Sequence, residues 1–260
     1  MLTRTRLCLA LLLLPGLSPA ALIAHYTFDA DGTAAVGADA TLGDAATIDN
    51  TSSAVGAGSL LLGGPVTDGA GNNGAVSGNS FAWATDTRSV AFWMQAGTQT
   101  DANPTMVSLG SGAGAGNRFD VRLNGSNLRL EVQSGGSNTT VPVGDGSWYH
   151  VTIVVPSDGS TVATTEYYVH DTSAALVASG AFGGSGTGIA TGDGPLRVGD
   201  SYQDGTRDFI GHIDDLRLYD EALDATAAQS LAALWNPVPE PHTALLGALG
   251  CLALLRRRRS

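Results

Sequence analysis

Between Ala21 and Trp235 the apolar residues come in short runs separated by clusters of Gly, Asn, Asp, Ser and Thr. Runs of that length bounded by turn-forming residues predict strands. They fall at Leu22 to Phe28, Ser59 to Leu62, Ser89 to Met94, Thr105 to Leu109 and Phe119 to Leu123. The series continues at Asn127 to Val132, Tyr149 to Val155, Glu166 to Val169, Leu196 to Val198 and Ile210 to Leu218. In Phe119 to Leu123 the alternation is explicit: Phe119, Val121 and Leu123 share one side, Asp120 and Arg122 the other. Asn124-Gly125 then separates this run from Leu128-Arg129-Leu130, the pairing of turn and flanks that marks a hairpin. Helical spacing occurs once, where Ala228, Leu231, Leu234 and Trp235 recur after a capping Asp224 and before Pro237.

Short strands, Gly-rich turns and one late helix predict an all-β fold, an antiparallel β-sandwich closed by a short C-terminal helix. The stretches Pro65 to Gly78, Gly110 to Gly116 and Gly183 to Gly194 carry little bulk and read as loops. No fixed-period repeat and no internal linker divides the region, so one domain is expected over 21–235. Asn236 to Pro241 reads as a Pro-rich linker.

The two ends follow other rules. Arg4 and Arg6, the apolar run Leu7 to Leu14, and Ser18-Pro19-Ala20 have the order of a secretory signal with cleavage before Ala21. At the other end an apolar stretch from Ala244 to Leu255 precedes Arg256, Arg257, Arg258 and Arg259. Twelve helical residues span about 18 Å, short of the ~30 Å hydrocarbon core. The arginines would hold that segment with its end in the cytoplasm, giving a transient inner-membrane contact.

Composition narrows the chemistry. Cys8 and Cys251 both lie in the end segments, which leaves the domain without a disulfide, a thiolate metal site or a cysteine nucleophile. Lysine is absent, and between Ala21 and Val238 seven arginines stand against twenty-three Asp and Glu. Such a balance disfavours nucleic acid and anionic lipid as partners and suits divalent cations, a salty medium or plain solubility.

Pro239-Glu240-Pro241, a short apolar segment and a terminal arginine cluster together resemble the PEP-CTERM sorting tag of Gram-negative bacteria. That resemblance implies processing by an exosortase-type membrane enzyme and delivery to the cell surface or extracellular matrix. A plain membrane anchor is the alternative. In the body, His25-Tyr26-Thr27-Phe28-Asp29, Gly58-Ser59-Leu60-Leu61-Leu62-Gly63-Gly64, Val90-Ala91-Phe92-Trp93 and Trp148-Tyr149-His150-Val151 appear in order. They lead to Phe209-Ile210-Gly211-His212-Ile213-Asp214-Asp215-Leu216-Arg217-Leu218-Tyr219, with Leu223 opening the final turn. This series resembles the LamG-like, concanavalin A-type jellyroll family, whose members include carbohydrate-binding modules, adhesion domains, lectins and some glycosidases.

The resemblance implies a calcium site that here would use Asp29 or Asp39 with Asp214, although Thr33-Ala34-Ala35-Val36-Gly37 stands where the family carries a polar loop. The competing reading makes these turn and cap aspartates. Asp29-Ala30-Asp31-Gly32 starts like an EF-hand loop but lacks its remaining ligands. Trp93 and Trp148 sit where the family buries aromatics. Trp83 and Tyr202 are the candidates for an exposed sugar platform, against a packing role for each.

Catalytic signatures are thin. Glycosidases need two placed carboxylates, and the glutamates of the domain, Glu131, Glu166 and Glu221, do not form the paired strand motif of concanavalin-type enzymes. Gly199-Asp200-Ser201 lacks the setting of an esterase motif, and His25, His150, His170 and His212 are scattered along strands. The expectation is a non-catalytic, exported protein that binds extracellular polysaccharide or another matrix component. A purely structural matrix filler and a polysaccharide hydrolase are the alternatives.

Overall fold

The computed structural model describes residues 21–63, 73–202 and 207–236. The signal segment and the sorting motif, Pro239, Glu240, Pro241 and Arg256 to Arg259, lie outside them. Among the described residues no helix is long and apolar enough to cross a membrane.

The first half of the chain builds β1 (Leu22–Tyr26), β2 (Ala34–Val36), β3 (Ala40–Leu42), β4 (Ala46–Asp49), β5 (Ser59–Gly63), β6 (Ala75–Phe81), β7 (Arg88–Ala96) and β8 (Thr105–Gly110). The second half adds β9 (Arg118–Asn124), β10 (Asn127–Val132), β11 (Gly135–Pro142), β12 (Trp148–Val155), β13 (Glu166–His170), β14 (Leu176–Ala181), β15 (Gly194–Val198) and β16 (Ile210–Tyr219). One helix, α1 (Ala225–Ala232), follows.

Two antiparallel sheets result. The first runs β14-β13-β12-β7-β16-β1-β2, with β5 also on β16 and β4 on β5. The second runs β11-β10-β9-β8-β15-β6-β3. Strands next to each other in space are often far apart in sequence, as for β7 with β16, so the sandwich is a jellyroll and not a meander.

Alternation puts one side of each strand into a single core between the sheets. Val90, Phe92 and Met94 of β7 meet Phe119, Val121 and Leu123 of β9 and Leu128, Leu130 and Val132 of β10 in that core. Burying a large aliphatic or aromatic side chain is worth roughly 1.5–3 kcal/mol. The strand pattern therefore commits the chain to this register, because a one-residue slip would turn every such residue outward.

One strand breaks its own alternation. In β16 a bulge between Asp214 and Arg217 places Asp215 at φ 47°. The extra residue shifts the phase, so that Ile213 and Leu216, three apart, both reach the core.

Six strands escape the sequence pattern: β2, β3, β4, β6, β11 and β14. They are rich in Ala, Gly, Ser and Thr and sit mostly at or beside sheet edges, where small side chains give little hydrophobic contrast. Residues 75–78, expected in a loop, belong to β6, because pairing with β15 supplies what their side chains do not. The hairpin forms as expected, Asn124 pairing with Asn127 and Gly125 turning at φ 60°. Helix α1 is capped by Asp224, whose carboxylate accepts from the Ala227 amide at 2.8 Å. It ends at Ala232, so Leu234 falls beyond it and is exposed, while Trp235 tilts onto Trp93 with ring centroids 4.9 Å apart. Trp93 is thus fully buried on the outer side of the first sheet, beneath α1, and not in the core between the sheets.

Candidate functional site

The side of β9 and β10 that faces away from the core is charged. Arg118, Asp120 and Arg122 alternate with the core residues of β9, and Arg129 and Glu131 with those of β10. The register sets like charges directly opposite: Arg122 faces Arg129, and Asp120 faces Glu131. Such pairs repel, and the side chains answer by bonding diagonally. Arg122 Nε donates to Glu131 Oε2 at 2.7 Å and Arg129 Nε to the same oxygen at 3.0 Å. Arg118 Nη2 and Arg122 Nη2 also donate to this carboxylate. Arg207, from the segment before β16, reaches Glu131 Oε1 at 3.1 Å. Four of the domain's seven arginines therefore converge on one carboxylate.

The two acids of the cluster are driven apart. Burial raises the Glu131 carboxyl, but hydrogen bonds and charge from Arg122, with Arg118 and Arg129, overcome this and bring it down to about 2. Burial dominates at Asp120 and pushes it up to about 6, against a 2.6 Å bond from the Ser108 hydroxyl and the charges of Arg118 and Arg207.

Next to the cluster, at one end of the sandwich, lies a cleft of about 620 Å³. Ala96, Pro104 and Leu123 give it apolar surface, Gly97, Gly125, Gly144 and Gly146 bring backbone to its wall, and Asp101, Ser126 and Asp145 add polar groups. The Asp145 carboxylate accepts from the Ser147 amide and the Tyr149 hydroxyl, both at 2.9 Å. Cleft and cluster share walls. Arg122 Nη1 donates to the carbonyl of Leu123 at 2.8 Å, and the Asp208 amide, next after Arg207, donates to Asp101 at 2.8 Å.

The residues singled out in the sequence lie elsewhere. Trp83 is only 8 % exposed: its ring tilts on Phe81 and takes the Arg88 guanidinium 5.1 Å from its centroid. It is a packing residue at the end of β6, because Arg88, wholly buried, needs an aromatic lid. Trp83→Ala is expected to cost about 3 kcal/mol of stability, read by urea denaturation, with glycan affinity per folded molecule unchanged.

Tyr202 is half-buried, with neighbours at its ring centre and at its hydroxyl end. The Arg118 guanidinium lies 5.6 Å from its centroid, and the far end of the ring packs closely on Gly112, where a Cβ would come within 2.2 Å of it. Trp83 is therefore covered by packing, while Tyr202 stays partly exposed.

Each of the aspartates named for a calcium site, Asp29 or Asp39 with Asp214, accepts from backbone amides. Asp29 accepts from the Ala57 amide, and Asp214 from Ala54 and Val55 at 2.8 and 3.0 Å, so the two hold one loop from two sides. Asp39 instead accepts from the Ala34 amide at 2.9 Å. Among the described residues no group of three or more His, Cys, Asp and Glu is placed to hold a metal ion. Burial pushes the Asp214 carboxyl up to about 8 against the pull of its backbone donors.

The histidines serve the first sheet. His25 Nε2 lies 2.6 Å from Asp215, His212 Nδ1 lies 2.9 Å from Ser59, and His150 sits against Trp93 and His170. The Glu166 carboxylate accepts from the Tyr168 hydroxyl at 3.1 Å, and the Glu221 carbonyl accepts from Ser89 at 2.7 Å. Asp200 accepts from the Ser201 amide at 2.6 Å, a local turn contact.

Sequence reasoning saw the alternation of β9 but not the cluster it feeds. The available signal was the crowding of three of seven arginines into the β9–β10 hairpin.

A two-sheet antiparallel jellyroll is the fold of the concanavalin A-like sandwiches. The family model of the concanavalin A-like lectin/glucanases superfamily matches residues 68–229, and the chain belongs to that superfamily. No curated protein matches it in sequence. Among solved structures it is similar to domain 4 of AbnA, a GH43 extracellular arabinanase from Geobacillus stearothermophilus, in complex with arabinotriose. The identity is 20 %, the TM-score 0.58, and the match covers 82 % of this chain and 98 % of that one. It is also similar to the binding domain of Paraclostridial Mosquitocidal Protein 1, at 12 % identity and TM-score 0.53, over 81 % of this chain and 51 % of that one. The botulinum neurotoxin serotype G binding domain matches at 15 % identity and TM-score 0.53, over 82 % and 50 %. The chain thus spans about half the length of each toxin domain, and at these identities the likeness is one of fold.

Proposed function

We propose that this protein is an exported, non-catalytic glycan-binding protein of the bacterial surface or matrix, and that the glycan seats in the cleft between Asp101, Ser126 and Asp145. The observation that carries this reading is the cleft itself. Its volume of about 620 Å³ is in the usual range for ligand sites. Its mixture of apolar floor, exposed backbone and carboxylates matches what a sugar offers, hydroxyls at its edges and C–H groups on its faces.

The family and the arabinotriose complex of a similar fold support glycan as the ligand class. Glu131 itself is unsuited to act as a general acid, since a carboxylate held at about 2 by guanidiniums is a poor proton donor. Export and exosortase-type processing rest on the sequences at 1–20 and 236–260, and a shift to the mature mass in the native host would test them.

The binding test uses a glycan array with and without calcium. The wild-type protein is expected to bind a subset of glycans saturably. Ser126→Trp, an exposed turn position on the cleft wall, should weaken binding at least tenfold with an unchanged melting temperature. Failure to bind any glycan, or equal binding by Ser126→Trp, removes the reading. The filler role would then gain ground, while release of reducing sugar would point to a hydrolase.

A further inference from the structure

The cluster on the outer face of the second sheet holds more positive charge than its partners cancel. Leaving Arg207 aside, Arg118, Arg122 and Arg129 face two carboxylates, Asp120 and Glu131. This occurs in a domain that has no lysine and whose acids outnumber its arginines threefold. It also occurs in a register that sets Arg122 against Arg129, an arrangement that costs stability. A surface under selection for solubility alone has no need to gather its few cations in one half-covered place.

The open edge of the cluster is at Arg129. Its side chain is 20 % exposed, against 6 % for Arg118 and Arg122. Its Nη1 donates to the exposed Asn138 at 2.8 Å and its Nε to Glu131, which leaves the Nη2 donors of a planar fork unused by either. Forks of this kind take carboxylate and sulfate oxygens in pairs.

We infer that this face is an oxyanion subsite, with Arg129 as its outer contact and Arg118 and Arg122 behind it, so that the bound glycan is an acidic one. The inference rests on the glycan reading of the adjoining cleft and adds the substrate class: a polysaccharide carrying carboxylate or sulfate groups beside a neutral stretch that fills the cleft. Arg122 ties the two parts together, one end in the cluster and Nη1 on the carbonyl of Leu123 in the cleft wall.

Affinity electrophoresis and calorimetry with polygalacturonate, dextran sulfate and a neutral galactan test it. The wild-type chain is expected to prefer at least one acidic polymer over the galactan tenfold or more at low salt. That preference should shrink as salt rises. Preference for polygalacturonate names carboxylate as the group, and preference for dextran sulfate names sulfate.

Arg129→Gln should abolish the preference and Arg129→Lys should retain part of it. Asn138→Asp, at an exposed position, neutralises the fork from the surface without touching the buried cluster and should weaken acidic binding about tenfold. Equal affinity for neutral and acidic polymers, or an acidic preference untouched by Asn138→Asp and Arg129→Gln, overturns the subsite while the cleft reading stands. Binding of neither acidic polymer also overturns it. Loss of all glycan binding in Ser126→Trp alone speaks to the cleft and not to the fork.

Discussion

Glu131→Gln is expected to destabilise the protein by about 3–5 kcal/mol, the usual consequence of removing one partner from a buried ionic group. Glu131 is 8 % exposed and accepts from four arginines, so the neutral amide would leave those guanidiniums facing one another across β9 and β10. Urea denaturation at pH 7 reads the loss directly. The acid limb gives a second signature. The Glu131 carboxyl is held at about 2 in the fold, below its ordinary 4.5, and so contributes stability that is present above pH 4.5 and lost as pH falls through 2. The Gln variant should lack that part of the acid profile. A cost under 1 kcal/mol would mean that the arginines are satisfied without their common carboxylate.

The second large effect belongs to His150, on the other sheet. Its imidazole is buried between Trp93 and His170, with ring centroids 5.3 and 6.3 Å away. Among the described residues its Nδ1 has no hydrogen-bond partner. Burial, reinforced by the neighbouring His170, pushes its pKa from 6.5 down to about 3. The unfolded chain therefore takes up a proton that the fold refuses, and stability falls as pH drops from 6.5 towards 3. At about 1.4 kcal/mol per pKa unit the full loss is on the order of 5 kcal/mol, about 4 of it by pH 3.5.

Asp120 and Asp214, held at about 6 and about 8 by burial, have the opposite sign: their contribution is complete below pH 3.8 and is lost as pH rises through those values. The wild-type curve alone therefore mixes several groups. The comparison of wild type with His150→Leu isolates the imidazole. Urea denaturation at pH 7.5, 5 and 3.5 should show the variant losing about 4 kcal/mol less than wild type on acidification. Parallel losses in both proteins would refute the assignment. The physical consequence is local, because His150 lies in the layer that α1 and Trp235 cover, so acid should loosen that cover first.

How much was legible in the sequence follows from how local each signal is. The strands that form the middle of each sheet announce themselves, since alternation along β9, β10 and β12 is a property of neighbouring residues. The edge strands β2, β3 and β14 carry no such contrast. Their backbone hydrogen bonds to a distant strand, and not their side chains, make them extended. Trp83 looked like a platform because it stands among polar residues in sequence. Its covers, Phe81 two residues before it and Arg88 five after, are close in sequence, but only the turn between β6 and β7 lays them on its ring. Asp29 and Asp214, from opposite ends of the chain, both bond the loop at 54–57, a contact that neither residue's sequence neighbours announce.

By itself the sequence determined the fold class, the single core, the hairpin at Gly125, the capped helix and the scarcity of positive charge. These depend on composition and on periodicities of two and of 3.6 residues, which need no knowledge of distant partners. The tertiary structure alone decided three things. The bulge at Asp215 reverses the phase of β16 so that Ile213 and Leu216 both enter the core. The cleft is made where the turns after β7, β9 and β11 come together. Four of the seven arginines become a site because antiparallel pairing of β9 with β10, and the approach of Arg207, set them around Glu131. Register and long-range approach are properties of the closed sandwich, and no window along the chain contains them.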